Sequence, residues 1–239
     1  FYPSFTHQYD GYDITGVFSY SDTLYFITNG SGILKSGQEI LPPGLPAFLT
    51  KYACVDKKGN CWLIHRNFAF GIVTKITPDD KIEIYDLTKY ITINGNGFYC
   101  LAIDKNDNIL LGCWDWNNIT GLVKFDTTGK VYEIEYGGSK IISDIFTIDD
   151  TIYLTTWQTG VYKIVLESEV KLLDNSIPKP TGICVDSKNR IYVISYSNGL
   201  WRIVPDGENY VITSIPQATT AIKVDSKGRM WVGTQGGIY

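Results

Sequence analysis

The stretch ICVDSKNRIYVISYSNGLWRI (183–203) holds the repeating unit of this sequence in one line. An alternating strand ends at Asp186, and a short polar turn runs through Asn189. A second strand, rich in β-branched and aromatic residues, follows, and Gly199 opens a third. The same order returns in ACVDKKGNCWLI (53–64), LAIDKNDNILLG (101–112), FTIDDTIYLTT (146–156) and IKVDSKGRMWVG (222–233). A worn copy, FSYSDTLYFIT, lies at 18–28. Each copy leads through a variable loop to a Gly-started strand: GILKS (32–36), GIVTKI (71–76), GLVKF (121–125), GVYKI (160–164), GLWRI (199–203) and GIY (237–239). A fourth strand is visible in four of them, as in KIEIYDL (81–87) and KVYEIEY (130–136).

The turn aspartates Asp22, Asp56, Asp104, Asp149, Asp186 and Asp225 mark the register, at spacings of 34 to 48 residues. Four short antiparallel strands per unit make one propeller blade. The expectation is an all-β, six-bladed β-propeller forming a single domain over 1–239. Its blades lie near 14–42, 48–88, 97–136, 143–174, 181–214 and 219–239, the last completed by residues 1–11. The seam then lies where Gly237-Ile238-Tyr239 meets Phe5 to Tyr9, and closing it removes exposed sheet edges. A linear solenoid would need polar capping repeats, which the sequence does not show. Pro42-Pro43-Gly44-Leu45-Pro46 has a repeat on either side and reads as a connection between blades.

The turns explain their own composition. In Asp56-Lys57-Lys58-Gly59-Asn60 the carboxylate accepts backbone N–H groups and Gly59 supplies a positive φ, with Asp107 and Gly228 at the equivalent place. The run from Asp104 to Asn108 resembles the start of a calcium loop but lacks the later Gly and the bidentate Glu, so a structural turn is expected. Five cysteines, Cys54, Cys61, Cys100, Cys113 and Cys184, and two histidines assemble no zinc pattern. Cys54 and Cys61 flank one turn. If Val55 pairs with Cys61, however, the two thiols point to opposite faces, which favours buried thiols over a disulfide.

Hydrophobic residues make up 44% of the chain and charged residues 19%, enough apolar material for a large core. The net charge is −4 with no basic cluster, so nucleic-acid binding has no electrostatic footing. No apolar run is long enough to span a membrane, and no signal peptide is expected from the opening Phe1-Tyr2-Pro3.

The two ends of such a ring differ. The turns at the aspartates are short and rich in Lys, Asn and Gly, as a solvated face is. Loops between second and third strands share the other face: Asn29-Gly30-Ser31, His65-Arg66-Asn67-Phe68, Trp114-Asp115-Trp116-Asn117, Trp157-Gln158, Tyr196-Ser197-Asn198 and Thr234-Gln235. The inner-strand starts Lys51, Phe98, Tyr99, Asp144, Thr181 and Thr220 adjoin the central channel. Aromatic platforms beside planar amides suit small polar ligands, glycans or peptides. The candidate contacts are Asn29, Lys51, His65, Arg66, Asn67, Phe98, Trp114, Asp115, Trp116, Asp144, Trp157, Gln158, Tyr196, Asn198 and Gln235. Trp62 and Trp231, on second strands, are expected to pack between blades. Asn29-Gly-Ser and Asn118-Ile-Thr are glycosylation triplets of use only in a eukaryotic secretory setting.

The last unit, IKVDSKGRMWVGTQGGIY (222–239), resembles the two-component regulator propeller repeat in its apolar strand, Asp-x-x-Gly-Arg turn, aromatic-apolar pair, Gly-Thr and Gly-Gly-Ile-Tyr. ICVDSKNRIYVISYSNGLWRI is a weaker copy, and the rest match in spacing. More distant relatives are NHL-type propellers and the streptogramin B lyase family. The resemblance implies a bacterial sensor input, periplasmic or extracellular, whose family members usually carry more blades, a further β-domain and a membrane helix.

Catalytic motifs are missing: there is no Gly-x-Ser-x-Gly, phosphate-binding Gly loop or His-Glu-x-x-His. A streptogramin lyase-like reaction needs a histidine base near the channel, for which His65 with Arg66, and Asp115 or Asp144, are the candidates. His7 falls on the outermost strand. The sequence therefore favours a non-catalytic binding or sensing module without cofactor or metal. A metal-dependent lyase or hydrolase and a protein-interaction scaffold stay open on the same fold.

Overall fold

The computed structural model describes residues 52–65, 71–93, 97–117, 119–165, 168–196, 198–204, 221–224 and 229–233 in full. Backbone alone is described for 14–20, 23–28, 33–35, 38–40, 50–51, 210–212, 219–220, 234 and 237–238. Within these residues every regular element is a strand, apart from one 3-10 turn at Leu87–Lys89. The first sheet holds β1 (Ile14–Tyr20), β2 (Thr23–Thr28), β3 (Ile33–Lys35) and β4 (Gln38–Ile40). The second holds β5 (Thr50–Val55), β6 (Cys61–His65), β7 (Ile72–Ile76) and β8 (Ile82–Asp86). The third is β9 (Phe98–Ile103), β10 (Ile109–Cys113), β11 (Leu122–Phe125) and β12 (Val131–Ile134). The fourth is β13 (Ile142–Ile148), β14 (Thr151–Thr156), β15 (Gly160–Val165) and β16 (Glu169–Asp174). A fifth follows in β17 (Pro180–Val185), β18 (Ile191–Ser195), β19 (Gly199–Ile203) and β20 (Tyr210–Ile212). The last described sheet has three strands, β21 (Thr219–Val224), β22 (Met230–Thr234) and β23 (Gly237–Ile238). In every sheet the strands pair antiparallel in chain order.

The third, fourth and fifth sheets are covered on both faces by their neighbours, which is why their second strands read as continuous apolar runs rather than alternating ones. In β10, Ile109, Leu111 and Cys113 meet Trp62, Ile64 and Val73 of the second sheet, while Leu110 meets Ile142, Ile152 and Leu154 of the fourth. Two further clusters join the fourth sheet to the fifth and the fifth to the last, around Val161 with Val193 and around Ile194 with Ile222. Each such side chain, fully buried, contributes about 2 kcal/mol.

The expected turn chemistry is present where the turns are described. The Asp56 carboxylate accepts from the N–H groups of Lys58 and Asn60, both at 2.9 Å, and from the Asn60 side-chain amide and Trp62 Nε1. Burial alone would raise its pKa, but these donors outweigh it and hold the group below the usual carboxylate range. Asp104 and Asp186 repeat the pattern, and Gly59, Asp107 and Asn189 take the positive-φ position at 83°, 62° and 58°. Asp149 departs from it. Its hairpin is a two-residue turn with Ile148 opposite Thr151, and Asp149 itself takes the left-handed position, at φ 50°. Asp56→Ala strips the partners from a buried indole and a buried amide. A loss of about 2 kcal/mol is expected, seen as a lower thermal midpoint.

Cys54 pairs with Trp62 and Val55 with Cys61, so the two thiols face different clusters, and all five cysteines are free. Trp62 packs between sheets, stacked on Tyr85 at 5.7 Å. Trp231 does not follow it: the residue is 45% exposed, its ring beneath the Arg229 guanidinium at 5.3 Å. The Asp-turn face is also less plain than its composition. Lys57 donates its backbone N–H to Asp107 and its ammonium to the Lys105 carbonyl, and Lys105 reaches Asp150 of the following sheet.

All the inner strands share one irregularity. The ladder between first and second strands skips a residue near its start, leaving Thr15, Lys51, Tyr99, Ser143, Thr181 and Thr220 as single-residue bulges. The expected seam at Phe5 to Tyr9, the Pro42 to Pro46 connection, Asp22, Asp225, Gly228 and both glycosylation asparagines lie outside the described residues.

Candidate functional site

In the third, fourth and fifth sheets the residue that follows the second strand is aromatic: Trp114, Trp157 and Tyr196. Each donates its backbone N–H to the carbonyl just before the first strand of its own sheet, at Gly97, Ile141 and Lys179, over 3.1, 2.9 and 3.1 Å. These bonds fix three equivalent positions on consecutive sheets, and the side chains meet. Trp114 and Trp157 have ring centroids 5.4 Å apart, and Trp157 and Tyr196 5.7 Å apart. Tyr99 is freed from the ladder by its bulge and lies against Trp114 at 4.3 Å, while Trp116 meets Trp114 edge-on at 6.0 Å. Five rings form one row along the loop face. Trp116 is 56% and Tyr196 68% exposed, whereas the other three are half-buried. Gln158, Asn117 and Asn198 are exposed along the same loops. Offset and edge-on contacts are the arrangements aromatic quadrupoles favour, so the row is self-supporting before any ligand arrives.

Several expected contact residues take a different part. His65 was expected in an open loop, but it is the last residue of β6, 2% exposed, with Nε2 2.8 Å from the Thr74 hydroxyl. Burial pulls its pKa down to about 4, so the imidazole is neutral at pH 7 and enclosed by the sheet. Asp115 is also buried. Its oxygens accept the backbone N–H groups of Asn117, Ile119 and Thr120, at 2.8, 3.0 and 3.2 Å. Its carboxylate builds the loop that displays Trp116. Asp144 accepts the N–H of Ile145 and, across to the next inner strand, that of Ile183, both at 3.0 Å. Phe98 is core, and the bulge turns its neighbour Tyr99 to the row instead. Asn29, Arg66, Asn67 and Gln235 lie outside the described residues, as does the side chain of Lys51. Lys179 had no part in the sequence reading. Its only visible signal is its position between Pro178 and Pro180.

No group of three or more His, Cys, Asp or Glu side chains capable of holding a metal occurs among the described residues, and no helix there is long and apolar enough to cross a membrane.

Residues 214–236 match the two component regulator propeller family. The match spans one repeat. Its solved structural likenesses are propellers. One is a streptogramin B lyase, at a TM-score of 0.75 and 19% identity, covering 92% of this chain and 76% of that one. Another is virginiamycin B lyase from Staphylococcus aureus, at 0.73 and 17%, covering 93% and 78%. A third is the extracellular domain of a putative hybrid two component system from B. thetaiotaomicron, at 0.72 and 14%; there the match covers 94% of this chain but 32% of the other. At these identities the likeness establishes the fold, a β-propeller of antiparallel four-stranded sheets. No curated protein matches the sequence.

Proposed function

We propose that this propeller is a non-catalytic binding or sensing module whose ligand, a small polar molecule, glycan or peptide, lies on the aromatic row. The observation that carries this is the contact of five rings from three consecutive sheets on one face, with exposed amides beside them. A scattering of single exposed aromatics is ordinary; a contiguous row held by equivalent backbone bonds is not. In this reading the sheets close into a six-bladed ring, with the N-terminal residues supplying the fourth strand beside β23. The regulator repeat and the extracellular likeness support an input role outside the cytoplasm.

The lyase alternative needed His65 as a base. With that imidazole buried against Thr74, its support reduces to likeness of fold, which hosts unrelated chemistries.

Glycan and peptide arrays probed with the wild-type chain and with Trp116→Ala/Tyr196→Ala test the reading. Both side chains are exposed, so the double variant should keep its thermal midpoint within a few degrees. Ligands of the wild type should bind it about tenfold more weakly. Ligands that bind the variant equally well place recognition elsewhere and remove the proposal.

A further inference from the structure

We propose that the row takes a ring-bearing anion, and that Lys179 is the residue that reads its carboxylate or sulfate. This rests on the row being the binding surface and adds the charge class of what it binds. Lys179 stands in Pro178-Lys179-Pro180 with φ 46°. A residue before proline is pushed toward extended backbone, and a side chain other than glycine rarely takes positive φ. Such a conformation persists only where the surroundings over-determine it, and it clusters at sites that use it.

Here three successive carbonyls are pinned. Ser195 Oγ donates to Pro178 at 2.5 Å, the Tyr196 N–H to Lys179 at 3.1 Å, and Ser143 Oγ to Pro180 at 2.6 Å. The donors come from the row's own framework: Tyr196 is one of its rings, Ser195 ends β18, and Ser143 is the bulge residue of the adjacent sheet. The result is a lysine delivered to the row, with Nζ 5.4 Å from the centroid of the Trp157 ring.

Lys179 is exposed, and its ammonium makes no ion pair with a described residue. Two carboxylates expected on the same face are committed to backbone N–H groups, Asp115 to its own loop and Asp144 to Ile145 and Ile183. A chain of net charge −4 therefore presents a cation beside its aromatic row. Apolar ring faces flanked by a cation complement a flat or puckered ring that carries an anionic substituent. Acidic saccharides and aromatic carboxylates share that chemistry.

Calorimetric titrations of matched pairs separate these sources and test the assignment. The probes are a glucuronate-containing disaccharide against its glucose counterpart, and 1-naphthoate against 1-naphthalenemethanol. The acidic member of at least one pair should bind about fivefold more tightly than its neutral partner, and the preference should shrink on going from about 20 mM to about 0.5 M salt. Lys179→Gln should abolish the preference and leave neutral binding in place, while Lys179→Arg should keep it. The pair that shows the effect names the source. Equal binding of acidic and neutral members, or a preference that survives in Lys179→Gln, overturns the assignment. If neutral binding is then still lost in Trp116→Ala/Tyr196→Ala, the row stands as the binding surface without a charge reader. Silence from both pairs overturns the assignment and counts against the row as well.

Discussion

Gly160→Ala is expected to destabilise the protein by about 4 kcal/mol, lowering the thermal midpoint by roughly 10 °C. Gly160 begins β15 at φ 105°, a backbone conformation that side chains avoid. A Cβ built there lies 1.9 Å from the Asp174 carbonyl oxygen and 2.8 Å from Asn175 Cα. Both obstacles are backbone, so no rotamer change relieves them. The surroundings cannot retreat either, because Asp174 pairs with Val161 and its carboxylate holds the N–H groups of Ser176 and Ile177. Gly129→Ala is the control. Its φ is 90°, but a Cβ there meets nothing within 4 Å, so only the conformational strain remains, about 1 kcal/mol. Equal midpoints for the two variants would show that the close approach at Gly160 carries no weight.

Acidification should produce the second large effect, through His65. Its folded pKa is about 4, against about 6.5 in an unfolded chain. Above pH 6.5 the imidazole is neutral in both states and contributes no pH dependence. As the pH falls below 6.5 the unfolded chain takes up a proton that the folded one refuses, and stability is lost until about pH 4. Over that window the loss amounts to about 3 kcal/mol. Urea unfolding of wild type and His65→Gln at pH 7, 5.5 and 4 isolates it by difference, since the carboxylates held low by the turns lose stability equally in both proteins as the unfolded chain protonates at about pH 4. The decline between pH 7 and 4 should be smaller in the variant by about 3 kcal/mol. A parallel decline in both proteins would place the acid sensitivity elsewhere.

The blade register was legible because the repeat carries its own punctuation. Asp56 and Gly59 fix one turn, the turn fixes which residues face each other, and that alone separates Cys54 from Cys61. The aromatic row was legible for the same reason: Trp114, Trp157 and Tyr196 follow the second strand in three copies. His65 was misplaced because both faces of its sheet are covered. In Cys61-Trp62-Leu63-Ile64-His65 every residue is buried, so alternation cannot say where the strand ends and the loop begins. Asp115 and Asp144 have backbone partners that the sequence does not display. A sequence shows a carboxylate but not the N–H groups that claim it, and that of Ile183 becomes a neighbour of Asp144 only once the chain has folded. The exchange of Phe98 for Tyr99 has the smallest cause, one residue omitted from a ladder, which turns one ring to the surface and leaves its neighbour in the core.

That omission recurs at the same place in each described sheet, and it gives the protein a spare seat at the rim of every inner strand. An occupant of the seat is exempt from pairing, so it can change without unsettling the strands on either side. Two seats have already diverged. Tyr99 looks outward and joins the rings, while Ser143 turns inward and braces the Pro180 carbonyl under Lys179. A lineage built on this scaffold can trade one kind of occupant for the other while the layers between sheets stay as they are. Substitution at Tyr99 is thus a route to a new surface that leaves the strand pairing untouched.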